Sequence, residues 1–167
     1  MNFVLCGMMG SGKTALGKNI AAATGRKWLD TDDVIVQRYG AISKIFATEG
    51  EEYFRGLETQ VVEELSEQDG YVISTGGGLV LREKNVELLK KNGKILFLRA
   101  NAETLLKRLS GDTARPLLQG QESLEEKINR LLKERTPAYE RAADVRLDVD
   151  GYSVEENTKR ALELLLK

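Results

Sequence analysis

Histidine is missing from all 167 residues of the chain. Its absence excludes serine–histidine and cysteine–histidine catalysis, and any zinc site that needs imidazole. Chemistry must rest on carboxylates, lysine, arginine, backbone amides and a hard metal ion. Cysteine is nearly absent too. Cys6, the single one, cannot form an internal disulfide, which fits a reducing cytosol, and within its apolar run it reads as a buried strand thiol. No apolar run is long enough to span a membrane, and the opening "NFVLC" is too short for the core of a signal peptide. Charge of one sign is lacking as well, since 25 basic residues against 26 acidic ones leave a net charge of -1. Such a chain projects no general field toward nucleic acid or an anionic membrane, so negative groups must be bound locally. The expectations are a cytoplasmic protein without nucleic-acid or membrane partners. Nothing long, flat and apolar advertises a partner surface, so a monomer is expected.

What is present alternates. Strand-like runs at 2–6, 27–30, 71–75, 94–99 and 145–149 are separated by helical patterns. Those cover the stretch after the first glycines to about 24, 32–39, 42–66 with a break near Gly50, 82–91, 102–109, 122–134 and 153–167, with Ser153 as N-cap. The order predicts an α/β fold, a parallel sheet with helices on both faces, as a single domain over 1–167. Ligands of such sheets gather at the carboxyl ends of the strands. The stretch 110–121, "SGDTARPLLQGQ", is long for an idle connection and reads as a mobile lid.

Between the first strand and the first helix stands "GMMGSGKT", residues 7–14, which fits G-x-x-x-x-G-K-[ST]. Glycines there let backbone N–H groups turn inward around a phosphate, and the following helix adds its positive end. Lys13 would place a point charge at the β- and γ-phosphates of a nucleoside triphosphate, and the Thr14 hydroxyl would hold Mg²⁺. After the second strand, "LDTDDVIV" sets Asp30, Asp32 and Asp33 at a helix start. Acids there serve as caps, and Mg²⁺ also favours a carboxylate or two beside phosphate oxygens. Residues 30 and 32 would be about 200° apart on a helix, so Asp30 must sit on the strand end or the cap. Asp33 reads as the cap or a solvated acid.

The glycine loop, "DTD" at 30–32, "FR..E" at 54–58, "GGG" at 76–78, "RPLL" at 115–118 and "RTPAY" at 135–139 together resemble the shikimate kinase family, in order and spacing over nearly the whole chain. The resemblance implies a three-layer α/β/α fold like that of nucleoside-monophosphate kinases, with a five-stranded parallel sheet, a lid and an acceptor-binding region at about 32–60. It implies Mg²⁺-dependent transfer of the ATP γ-phosphoryl group to the 3-hydroxyl of shikimate, on the way to chorismate and the aromatic amino acids. By the same resemblance, ATP would lie on Gly10, Ser11, Gly12, Lys13, Thr14 and Ala15, with Arg108 against adenine and Arg115 swinging in with the lid. Asp30 would contact the magnesium through water. Asp32 would bind the shikimate hydroxyls and orient the attacking one, Arg55 and Arg135 would bind its carboxylate, and the backbone of Gly76, Gly77 and Gly78 would lie against the substrate. Lys13, Asp32 and Arg115 would be the catalytic groups.

The physics of the residues agrees with these roles. Phosphoryl transfer needs positioning and charge stabilisation more than a strong base. Arginines offer a carboxylate a bidentate fork that lysine cannot. Three glycines after a buried strand leave room for a ligand on bare backbone. Each residue also has a plainer role: Arg55 can pair with Glu58 or Glu52 on a helix, Arg135 and Arg108 can be solvated helix arginines, Arg115 an exposed loop charge, and "GGG" the turn before a helix. "DVDGYS" after the last strand lacks the basic residue that some members of the family present near the nucleotide, which leaves the adenine contacts there open.

Overall fold

The apolar run at the start of the chain forms the middle of a sheet. The computed structural model describes residues 1–110 and 122–167. Its five strands are β1 (Asn2–Cys6), β2 (Lys27–Asp30), β3 (Tyr71–Ser74), β4 (Gly93–Arg99) and β5 (Val145–Asp148). All pair in parallel, in the order β2-β3-β1-β4-β5. Every residue of β1 is buried, as a strand must be when helices cover both faces, whereas the edge strands β2 and β5 are partly exposed.

The helices among the described residues are α1 (Lys13–Thr24), α2 (Thr31–Tyr39), α3 (Ile42–Glu49), α4 (Glu51–Ser66), α5 (Glu83–Lys91), α6 (Ala102–Ser110), α7 (Leu124–Ala142) and α8 (Val154–Leu165). The chain passes from β1 to β2 toward one edge of the sheet, and from β3 to β4 toward the other. Right-handed crossovers therefore put α1 on one face and α5 and α7 on the other, and α8, which follows the last strand, joins α1. Accordingly α1 packs on α8 and β3, while α5 and α7 pack on β4. The crossovers diverge around β1, and the crevice at its carboxyl end is where such sheets bind ligands.

The expected elements are present with small shifts. The long helical stretch is divided at Gly50 into α3 and α4, and a short 3-10 turn at Leu79–Leu81 follows the glycine run. The larger difference is α7, which continues past residue 134 to Ala142 and contains Pro137. Proline cannot donate to the carbonyl four residues back, but Pro137 and Lys133 are both exposed, so water can meet that carbonyl. Ile128, Leu131, Ala138, Tyr139 and Ala142 meanwhile bury one continuous face, which outweighs a single missing bond. Arg135 and Tyr139 consequently sit one turn apart on a helix. The expected lid at about 110–121, with Arg115, lies outside the described residues apart from Ser110, the last residue of α6.

Helix α8 begins as its sequence requires. Ser153 Oγ accepts from the Glu156 N–H at 3.1 Å and Glu156 accepts from the Ser153 N–H at 3.0 Å, a complete capping box. Ser153→Ala should lower the unfolding free energy by about 1 kcal/mol and leave catalytic parameters unchanged. Urea denaturation and steady-state kinetics on the same preparation check both.

Candidate active site

The glycine loop leaves β1 and turns into α1 through left-handed backbone at Gly10 (φ 82°) and Gly12 (φ 104°). Side chains rarely adopt that conformation, and it lets the loop curl over the helix end. Lys13 follows at once. Its Nζ donates to the Gly7 carbonyl at 2.6 Å. Burial lowers the pKa of its ammonium, and the nearby acids Asp32 and Asp30 oppose that. Gly10, Gly12, Lys13, Thr14 and Ala15 all line one cleft of about 520 Å³. Ser11 does not. It is 1% exposed, its N–H donates back to the Met8 carbonyl at 3.1 Å, and its hydroxyl points into the protein without a partner among the described residues. Arg108 reaches the loop from α6, Nη1 donating to the Gly10 carbonyl at 3.0 Å. Cys6 is fully buried and burial pushes its thiol up to about 12, the inert strand cysteine expected.

Asp30 ends β2 and is the N-cap of α2. Its Oδ1 accepts from the N–H groups of Asp32 at 2.7 Å and Asp33 at 3.3 Å. That leaves Oδ2 without a partner among the described residues. Asp32, in the first turn, lines the same cleft as Asp30, and burial raises the pKa of both. Asp33 is exposed and is the solvated acid of the two alternatives.

The glycine run after β3 explains itself by what stands beside it. A Cβ on Gly76 would lie 2.6 Å from Asp32 Oδ1, one on Gly77 2.7 Å from Arg135 Nη1, and one on Gly78 2.6 Å from Arg55 Nη1. Each glycine faces a different side chain from a different helix. All three are residues that the sequence had singled out, on α2, α7 and α4. Arg135 lines the phosphate-loop cleft and also a neighbouring hollow of about 520 Å³, whose wall includes Arg55, Gly78, Arg82 and Arg130. The two spaces thus meet at the glycine run.

Arg55 is paired as well as placed. Its guanidinium donates to Glu58 at 2.8 Å and to Glu51 at 3.3 Å, while Glu52 binds Arg82 at 2.9 Å. Glu58 is 1% exposed; its Oε2 has no partner among the described residues and lies 3.2 Å from where a Gly76 Cβ would be. Burial raises its pKa, and the Arg55 hydrogen bond counters this. Glu58 is thus the helical partner of Arg55 that the sequence offered, whereas Thr31 and Tyr139, which also stand in the quoted motifs, carried no expected role. Thr31 Oγ1 accepts from the Gly76 N–H at 2.9 Å, and Tyr139 donates its hydroxyl proton to the Gly77 carbonyl at 2.6 Å. Burial pushes the Tyr139 phenol up to about 12, so it remains a donor. The i, i+4 spacing of Arg135 and Tyr139 was the available signal, and it counts only once α7 is known to run through Pro137.

The arrangement can hold a polyanion on loop amides and Lys13, and a small carboxylated polyol between two arginines and a carboxylate. Among the described residues no group of three acids, cysteines or histidines is placed to ligate a metal. The oxygens at hand, Asp30 Oδ2 and the Thr14 hydroxyl, suit Mg²⁺, which keeps most of its shell as water and phosphate. If the glycine run exists to admit these side chains, Gly78→Ala should displace Arg55 and raise the acceptor KM about tenfold or more with little change in the KM for ATP. Steady-state kinetics with each substrate varied in turn, beside circular dichroism, would test it.

Comparison with known proteins gives the same picture. The family model for shikimate kinase matches residues 9–166. A shikimate kinase of Caldicellulosiruptor bescii is 44% identical over 166 residues, covering 99% of this chain and 95% of that one. Among solved structures, shikimate kinase from Acinetobacter baumannii in complex with shikimate superposes with a TM-score of 0.89 at 38% identity, over 99% of this chain and 92% of the other. A gluconokinase from Sinorhizobium meliloti, at 20% identity and a TM-score of 0.65 over 99% of this chain and 91% of that one, shares the fold alone. With the motifs, the sheet order and the full-length match in agreement, the chain belongs to the shikimate kinase family.

Proposed function

We propose that this enzyme transfers the γ-phosphoryl group of ATP to the 3-hydroxyl of shikimate, with the residues around the glycine run in distinct roles. The observation that carries the reading is the convergence of Asp32, Arg135 and Arg55, one on each of Gly76, Gly77 and Gly78. Two arginines and a carboxylate on bare backbone make a pocket for a small acid with hydroxyls, beside a loop shaped for phosphate.

In this reading Arg55 and Arg135 take the shikimate carboxylate as a bidentate pair. Asp32 accepts a hydrogen bond from the attacking hydroxyl and fixes its direction toward the phosphate. Burial raises the Asp32 pKa, making it a better acceptor for the proton that the hydroxyl releases. Lys13 turns from the Gly7 carbonyl to the β- and γ-phosphates, where its charge offsets what accumulates in transfer. Gly10, Gly12, Thr14 and Ala15 hold the phosphates by main chain and hydroxyl. Ser11 is part of the loop's inner support. Arg108 lies against adenine, and Arg115 closes onto the phosphates with the lid. Thr14 and Asp30 would hold Mg²⁺, Asp30 through water, and the ion when bound supplies charge neutralisation at the phosphates. The protein works as a monomer in the cytoplasm as one catalytic domain, with ATP and shikimate as its small-molecule partners.

Arg55→Ala should raise the KM for shikimate by about 10- to 100-fold and the KM for ATP far less, because a charge-assisted bond to the carboxylate is lost. Equal effects on both would contradict the placement. Lys13→Met should depress kcat by at least about 100-fold in a protein with an unchanged circular dichroism spectrum. Coupled detection of ADP with shikimate, gluconate and nucleoside monophosphates as acceptors tests the substrate. Turnover of gluconate or a nucleotide without turnover of shikimate would overturn it.

A further inference from the structure

Gly17 stands in the interior of α1, where glycine is unfavourable and the phosphate loop does not require it. The reason lies across the helix. A Cβ on Gly17 would be 2.6 Å from Ser74 Oγ and 2.6 Å from Trp28 Nε1. These two atoms are bonded: the indole N–H of Trp28, the single tryptophan, donates to Ser74 Oγ at 3.0 Å. The Ser74 hydroxyl in turn donates to the main-chain carbonyl of Lys13 at 2.8 Å. An indole N–H can only donate and a carbonyl can only accept, so the direction of this relay is fixed. Ser74 is fully buried, at the last position of β3. The relay therefore joins β2, β3 and the first residue of α1. Each of its members lies close in sequence to a site group: Lys13 is one itself, Trp28 is two residues before Asp30, and Ser74 is two before Gly76.

We propose that Ser74, with Trp28 behind it, is a positioning residue for phosphoryl transfer, fixing the main chain of Lys13 relative to the glycine run that carries the acceptor. The inference rests on the assignment of Lys13 to the phosphates. Lys13 has a long flexible stem, and its amino group is only as well placed as its backbone. Gly12 just before it is in left-handed backbone, and no side-chain cap bond holds the start of α1. The Ser74 hydroxyl supplies a lateral hold at that point. Because β3 leads directly into Gly76, the same bond sets how far the phosphate lysine stands from the acceptor pocket. Transfer depends steeply on that separation, whereas the binding of either substrate alone does not.

Ser74→Ala breaks the hold and leaves the Trp28 indole N–H without its acceptor. The double variant Ser74→Ala/Trp28→Phe removes donor and acceptor together, so no polar side chain of the relay is left unpaired. Positioning predicts that the double variant regains most of the thermal stability lost in Ser74→Ala while kcat stays about tenfold or more below wild type, with KM for ATP and for shikimate within about twofold. Recovery of kcat together with stability would overturn the proposal, since Ser74 would then serve packing only. So would an unchanged kcat in Ser74→Ala, or a loss confined to KM. Should the alanine variants not fold, Ser74→Cys keeps the volume with weaker hydrogen bonds and is read by the same criteria. Lys13→Met separates the two assignments: loss of turnover there with none in the Ser74 variants removes the relay and leaves the phosphate role, whereas unaltered turnover in Lys13→Met removes the role itself.

Discussion

Three side chains occupy the space where Cβ atoms would otherwise stand. Asp32, Arg135 and Arg55 reach the backbone of Gly76, Gly77 and Gly78 so closely that a Cβ on any of the three would oblige the facing side chain to move. The rest of the site follows from that close approach. The face that the three side chains approach must be bare main chain, and the run must be held from behind, as it is by Thr31 on the Gly76 N–H and Tyr139 on the Gly77 carbonyl. The helices that bring the three side chains must end or pass at the carboxyl edge of the sheet. Parallel topology helps, because every crossover leaves its strand at that edge, and α2 starts there directly at the end of β2.

The electrostatics are set by partial burial. Asp30, Asp32 and Glu58 are withdrawn from water far enough for burial to raise their pKa values, and the same burial lowers that of Lys13. Acids and bases are interleaved, so the cavity is charged at close range while the whole chain is nearly neutral. A field of this kind acts at short range, within one cleft. Glu58 holds Arg55 with one oxygen and turns the other toward Gly76. The arginine thus keeps its orientation with donors still available to a carboxylate.

Much of the fold was legible because its signals are local. Continuous apolar runs at Phe3–Cys6 and Ile95–Leu98 mark buried parallel strands, Gly50 separates α3 from α4, and Ser153 with Glu156 starts α8. The extent of α7 was not legible, since Pro137 is a local stop signal overridden by the buried face of Ala138, Tyr139 and Ala142. Arg55 shows the limit for single residues. Its helical neighbours predicted an ion pair, which it has, and it also lines the hollow beside the glycine run, because a guanidinium has donors enough to pair and still face open space.

The sequence by itself determined the order of strands and helices along the chain, the glycine loop before the first helix and the residue types that gather around the second glycine run. These depend on periodicity and on spacing along one chain. Only the tertiary structure decided which glycine faces which side chain, that Ser11 turns inward, that Asp30 and not Asp33 is the cap, and that Gly17 makes room for Ser74 and Trp28. The contacts of these glycines join residues from 11 positions apart (Gly17 and Trp28) to 58 (Gly77 and Arg135), and no local pattern encodes them. They follow from the crossovers that carry separate elements to one edge of the sheet.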